Sequence, residues 1–472
     1  MRIPKANVVA KRHSWLLAIV ACCSVVNAQS ILQGQNSVYN SAATTTGSVA
    51  FFDASMFALS PPPTNRNLCA VLNFILNPAN TIIPPTGAVV DARGLNSTNT
   101  SLNCTSSPWS GITSPPASTI LLPAATITTS AIWILPSNTR LIGEGDGVPL
   151  SGAVGTTIQA SSSSFSGPLL QFGSSSICPG TPAVCSGISV EDLTLDGDGG
   201  TSVIGIQNQY SQNNTFVDHV GLYQILGTGL LVESGADGSG PYTNIRFDTG
   251  GDEATTTTEC VSLNNLTSTQ GVRGLSCLSA TNDAPAAVLL DSSNTSIEDV
   301  RIVGFYDGIR IGANANARSN VLAHIIGDTS QNRLHPTPVN AIHIENAAHT
   351  VTDLSIMGVS NSGLMGTYTI QDDVTGPHLS DTSIAIYAIG ETVPIASGGI
   401  NGYTRYTTSP NVANWSAGTS SPSGGCTSAT RGALYSCAGT YSTCCVGGSG
   451  CTASTAAALW VCGSGASWLA VD

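Results

Sequence analysis

The sequence predicts an all-β fold, a right-handed parallel β-helix of about 27 residues per coil. Three observations carry this expectation. A short strand pattern recurs, its copies are spaced by multiples of one period, and long helical patterns are nearly absent. The pattern is Ser/Thr, apolar, any residue, Asp, then apolar residues at alternate positions. It reads Ser189-Val-Glu-Asp-Leu-Thr-Leu195, Ser296-Ile-Glu-Asp-Val-Arg-Ile302 and Thr350-Val-Thr-Asp-Leu-Ser-Ile356, with a looser copy at Thr215-Phe-Val-Asp-His-Val220. The aspartates Asp192, Asp218, Asp299 and Asp353 are 26, 81 and 54 residues apart, or about one, three and two periods. Weaker rungs fall at Thr243–Phe247 and Asn320–Ile326. Alternation with Val, Ile and Thr is strand chemistry. One strand per fixed period is the mark of a solenoid, in which each coil buries its inward face on the next.

Composition agrees. Only 9% of the 472 residues are charged, too few for long amphipathic helices. Residues 1–28 read as a secretory signal peptide. Arg2, Lys5, Lys11 and Arg12 form a basic start, Trp15–Val26 is apolar, and Val26-Asn-Ala28 precedes a cleavage site. The apolar run is too short for an ordinary membrane span. Ile19-Val-Ala-Cys22 also resembles a lipobox, so a lipid anchor at Cys22 is the alternative to release outside the cell. Four of the fifteen basic residues lie in this segment. The rest of the chain holds eleven arginines and no lysine against 28 acids, a formal charge of −17. That balance excludes nucleic acid and anionic lipid as natural partners and disfavours polyanionic glycans.

Twelve cysteines remain after Cys22 and Cys23, an even number that fits export. Expected pairs are Cys69–Cys104, Cys178–Cys185 and Cys260–Cys277. Cys426, Cys437, Cys444, Cys445, Cys451 and Cys462 crowd the end. Their spacing matches no paired metal motif, so a disulfide framework is expected and no metal ligands are assigned.

In chain order, residues 29–66 read as an extended arm rich in Ser, Thr and Asn. Asn67–Leu76 has helical spacing and would form a short helix capping the open end of the solenoid. The coils, residues 67–403 with this cap, begin at Gly87–Leu95. They continue through the strands Thr119–Pro123, Ile132–Pro136 and Thr139–Gly143. Residues 404–425 form a Ser/Thr/Pro/Gly linker and residues 426–472 a small Cys-rich β module. In that module Ala433-Leu-Tyr-Ser-Cys437 is echoed by Ala458-Leu-Trp-Val-Cys462. Tyr435, Trp460 and Trp468 are its candidate sugar-stacking residues, and a stapled cap or attachment piece is the other reading.

Ile120-Leu-Leu-Pro123, Leu135-Pro-Ser-Asn-Thr-Arg-Leu-Ile-Gly-Glu-Gly145 and Thr156-Thr-Ile-Gln159 resemble the opening of the pectate-lyase-like superfamily. The likeness is to secreted bacterial proteins of the branch related to family 28 glycoside hydrolases, and it spans roughly residues 67–400. It implies a right-handed parallel β-helix that acts on or binds extracellular polysaccharide. Phage tailspikes share the branch, so a trimer is one option for the oligomeric state. Family 28 catalytic motifs are mostly missing. Gly308-Ile-Arg-Ile-Gly312 matches part of one, Asp372-Asp373 follows it in the wrong order, and Gly-His-Gly does not occur.

A second recurring strand supplies a site from the residues alone. Gly229-Leu-Leu-Val-Glu233, Ala287-Val-Leu-Leu-Asp291, Gly308-Ile-Arg-Ile-Gly312 and Ala341-Ile-His-Ile-Glu345 send apolar residues inward and polar ones outward. The strip carries Glu233, Asp291, Arg310, His343 and Glu345. Asp291 and Glu345 would lie two coils apart, roughly 9–10 Å, with Arg310 between them. That is near the separation of about 6.5–9.5 Å used by inverting glycosidases. A solvated solenoid face would also be polar without being a site. The repeated aspartates read as turn-amide caps. Asp218-His219, as strand neighbours, would point to opposite faces. No cofactor is expected, although Asp196-Gly-Asp-Gly199 leaves a calcium loop open beside an ordinary turn. Two functions follow: a glycoside hydrolase or polysaccharide lyase, or a non-catalytic adhesive solenoid that binds glycans.

Overall fold

The computed structural model describes residues 50–58 and 67–312, with breaks at 96–99, 147–154, 253–256 and 280–283, and the backbone of ten further strands between residues 320 and 471. It is a parallel β-helix. A 15-stranded sheet and a 10-stranded sheet run side by side, and the chain alternates between them. Every pairing between neighbouring strands of these two sheets is parallel. Inward residues stack coil on coil. One buried column of the long sheet is Val190, Val217, Tyr242, Val272 and Ile297, and another is Leu195, Leu222, Phe247, Cys277 and Ile302. Successive members of the first column are 27, 25, 30 and 25 positions apart in sequence. The two rungs between Asp218 and Asp299 are Tyr242–Asp248, as expected, and Val272–Leu278, whose repeat pattern is too degraded to read.

Among the described residues the buried side-chain polar atoms are paired, except Trp109 Nε1, Ser118 Oγ and Thr139 Oγ1. The buried Asn208 amide donates to Ser211 O at 2.8 Å and to Tyr242 Oη at 2.9 Å, and Tyr242 Oη donates to Ser239 Oγ. Complete burial pushes the Tyr242 phenol up to about 12, with both hydrogen bonds opposing the shift.

The helix forms at Leu68–Leu76, and the Asn67 side chain caps it by accepting from the Ala70 amide at 2.7 Å. Leu68, Val71, Leu72, Ile75 and Leu76 are all buried, so the helix closes the apolar end of the coils. The cap begins earlier than expected. Within the stretch read as an arm, Ala50–Asp53 pairs in parallel with Ala88–Asp91. Ala-Phe-Phe-Asp is too short a run to stand out among Ser and Thr. The linker reading is likewise corrected at Trp415–Gly418, which pairs with Leu434–Cys437 in a separate four-stranded sheet.

The three expected disulfides, Cys69–Cys104, Cys178–Cys185 and Cys260–Cys277, are present, the chemistry of an oxidising compartment. Among the described residues no helix is long and apolar enough to cross a membrane. The signal segment 1–28, Cys22, Asp353 and Asp373 lie outside the described residues, as do four of the six late cysteines. Cys437 and Cys462 are described by backbone alone.

The repeated aspartate has a structural role, but a different one from amide capping. Asp192, His219, Asn244, Gly274 and Asp299 occupy one position in five successive coils, all with φ between 52° and 67°. This left-handed region is open to Gly and tolerated by Asn, Asp and His. The position selects a backbone conformation rather than a carboxylate. It also corrects the phase of the looser copy. Asp218 registers on Glu191, and His219 is the partner of Asp192. Because the turn at His219 breaks strand alternation, Asp218 and His219 do not diverge. Their side chains meet at 2.9 Å, and Thr243 and Asn244 also donate to the Asp218 carboxylate.

Candidate active site

The outward face of the 10-stranded sheet gathers most of the expected strip. Two columns form it. In one, Gln171, Gln207, Leu231, Ser262, Leu289, Arg310 and His343 follow each other coil by coil. In the other, Glu233 continues the strand that pairs with Glu259–Asn264. Asn264 pairs with Asp291, and Asp291 lies against Gly312. Glu233, Asn264 and Asp291 are half-buried.

Register corrects one expected contact. Gly312, not Arg310, occupies the rung after Asp291, and Arg310 stands in the neighbouring column beside His343. A Cβ at Gly312 would come within 2.6 Å of Asp291 Oδ1, so glycine leaves room for that carboxylate. Glu345 is outside the described residues. The carboxyl pair the described structure provides is therefore Glu233 and Asp291, two coils apart, a separation of about 9–10 Å at strand spacing. Gln207 Nε2 donates to Glu233 Oε2 at 2.6 Å and fixes that side chain.

Arg310 and His343 are brought together by a residue the strand pattern did not reveal. Asp307 is fully buried, and its Oδ2 accepts from Arg310 Nη2 at 3.0 Å and Nε at 3.2 Å. The same oxygen is 2.8 Å from His343 Nδ1. Arg310 Nη2 also donates to Pro285 O at 3.2 Å. Asp307 opens its strand with inward parity, so alternation alone excludes it from the face. A carboxylate three residues before an outward arginine was the available signal. Beneath them, burial pushes the Glu259 carboxyl up, while Ser262 and the Arg310 charge pull it back.

Asp196, read as a turn or calcium residue, lies on the long sheet. Its column runs Gln159, Asp196, Tyr223, Asp248. Asp196 is buried and both its oxygens accept from N–H donors, Oδ1 from the Asp198 amide at 2.9 Å and Oδ2 from Gln159 Nε2 at 3.1 Å. Burial raises its pKa, and the charges of Asp198 and Asp252 add to the rise. Among the described residues no group of three or more His, Cys, Asp or Glu is placed to hold a metal ion. In the late four-stranded sheet, Tyr435 registers opposite Trp460, and Trp468 opposite Cys462.

No family model matches the chain, and no curated protein matches it. Among solved structures, it is similar to the A-module of a mannuronan C-5 epimerase of Azotobacter vinelandii, with 16% identity, 75% of this chain and 99% of that chain covered, and a TM-score of 0.37. It is also similar to a DFA-IIIase from Arthrobacter chlorophenolicus in complex with GF2, with 12% identity, 75% and 87% coverage, and a TM-score of 0.43.

Proposed function

We propose that this chain is a secreted, polysaccharide-acting β-helix enzyme, a glycoside hydrolase in the broad pectate-lyase-like class. Its reaction centre is the outward face of the 10-stranded sheet. The observation that carries this reading is the pair Glu233 and Asp291, half-buried and two coils apart on a rigid sheet. At that spacing one carboxyl gives a proton to the departing glycosidic oxygen. The other takes a proton from a water held between them, which attacks the sugar carbon from the opposite side. Gln207 and Asn264 supply hydrogen bonds to hold the chain, and Arg310 and His343 flank the pair. The signal-like segment and the disulfides support an extracellular substrate.

The test is release of reducing ends or unsaturated products from plant and bacterial polysaccharides. The chain cleaved after Ala28 is compared with Glu233→Gln and Asp291→Asn. Loss of one carboxyl lowers kcat by about 10²–10⁴-fold. Unsaturated products would replace hydrolysis with elimination at the same face. Full activity in both variants would remove the pair from the reaction. A wild-type chain that binds glycans without turning any over would leave the adhesive reading in place of the enzyme.

A further inference from the structure

We infer that Asp307 is a positioning residue for the reaction at this face, holding His343 in one tautomer and Arg310 in one rotamer. The inference rests on the proposed activity and adds to it a residue that is itself buried beneath the face. Three features support it. Asp307 is completely buried, whereas Arg310 and His343 are 24% and 15% exposed. Both side chains converge on the same carboxylate oxygen, at 3.0 and 2.8 Å. They come from consecutive coils, since Arg310 registers on His343. A buried carboxylate that accepts from Nδ1–H fixes the imidazole with its second nitrogen, Nε2, as the one that titrates. The same anion favours protonated His343, so it sets where the imidazole changes charge. Among the described residues the charged groups beside the imidazole are Asp307 and Arg310; Asp291 lies two coils before it and Glu259, which feels the charge of Arg310, three.

The alternative is that Asp307 merely neutralises Arg310 and ties two coils together. Asp307→Asn separates the two, because it preserves shape and one acceptor while deleting the charge. Two readouts are taken on the full chain. The first is the titration of His343 by NMR of protein labelled with ¹⁵N-histidine, with His343→Gln to assign the signal. The second is the pH dependence of kcat and kcat/KM on whichever polysaccharide the screen identifies.

The expected result has three parts. The wild-type His343 signal is that of the Nδ1–H tautomer. In Asp307→Asn its midpoint falls by about one pH unit or more, and one limb of the kcat profile moves by the same amount. kcat falls about 10- to 100-fold with KM little changed. A midpoint that does not move overturns the hold on His343. A midpoint that moves while the kcat profile stays fixed makes Asp307 structural and overturns the inference, leaving the proposed function standing. If the wild-type chain turns over no glycan, the proposed function fails first and the positioning role falls with it.

Discussion

Five coils in succession place a left-handed residue at one point of the long sheet, and its occupants are Asp, His, Asn, Gly and Asp. A β-branched side chain there would be strained by about 1–2 kcal/mol, because its Cβ crowds the following carbonyl. Asn244→Val and Asn244→Gly both lose the hydrogen bond to Asp218, so Asn244→Val is expected to be less stable than Asn244→Gly by about that amount, as read by urea unfolding. Asp196 makes a second prediction. Its folded pKa is raised by burial, so the stability it contributes is present below the ordinary carboxylate range and is lost as pH rises through the raised value. Asp196→Asn, with the Gln159 amide turned to match, removes a buried negative charge. The variant should melt higher than wild type at neutral pH, and the gap should close on acidification. Glu259 carries the same sign. A gap that widened toward acid pH would mean that the ionised Asp196 is the stabilising form.

At the scale of elements, the N-terminal helix is held by its Asn67 cap, its apolar face and the Cys69–Cys104 bridge, which closes a 35-residue separation. Replacing both cysteines by serine should cost about 2–4 kcal/mol. Asn67→Ala should cost about 0.5–2 kcal/mol. Thermal melts of the two variants, with and without reductant, test both. This cap, all three described disulfides and most early strands were legible in the sequence, because helical spacing, cysteine proximity and Pro/Gly stops act locally. Val272–Leu278 was not, since Gly274 stands where the other rungs carry Asp, His or Asn. Ala50–Asp53 was missed because a four-residue strand has almost no period to display. In the candidate site, alternation revealed Glu233, Asp291, Arg310 and His343 as one face. It could not reveal which column each belongs to, because corner lengths vary from coil to coil and set the register. Nor could it show Asp307, which reaches its partners from the inward side of a strand end.

At the scale of the molecule, the core is one continuous stack, so a defect in one coil is felt by its neighbours. The charge is equally global. Beyond residue 28 the chain carries a formal −17, with eleven arginines and no lysine. Several of those arginines are already committed, Arg93 to Asp91, Arg140 to Glu191 and Arg310 to Asp307. A polyuronate approaching this surface meets like charge over a Debye length of about 30 Å at 0.01 M salt and about 10 Å at 0.1 M. An uncharged polysaccharide meets no such barrier. The two substrate classes therefore separate by salt. Binding of a neutral polysaccharide should be nearly independent of ionic strength across that range, and binding of a polyuronate should strengthen as salt is added. Affinity electrophoresis or calorimetry on the Glu233→Gln chain, chosen to prevent turnover under the proposed mechanism, measures both. Polyuronate binding that weakened with salt would reveal a local cationic path strong enough to overcome the net charge, and Arg246 and Arg301, exposed on the long sheet and two coils apart in one column, would be the first residues to replace.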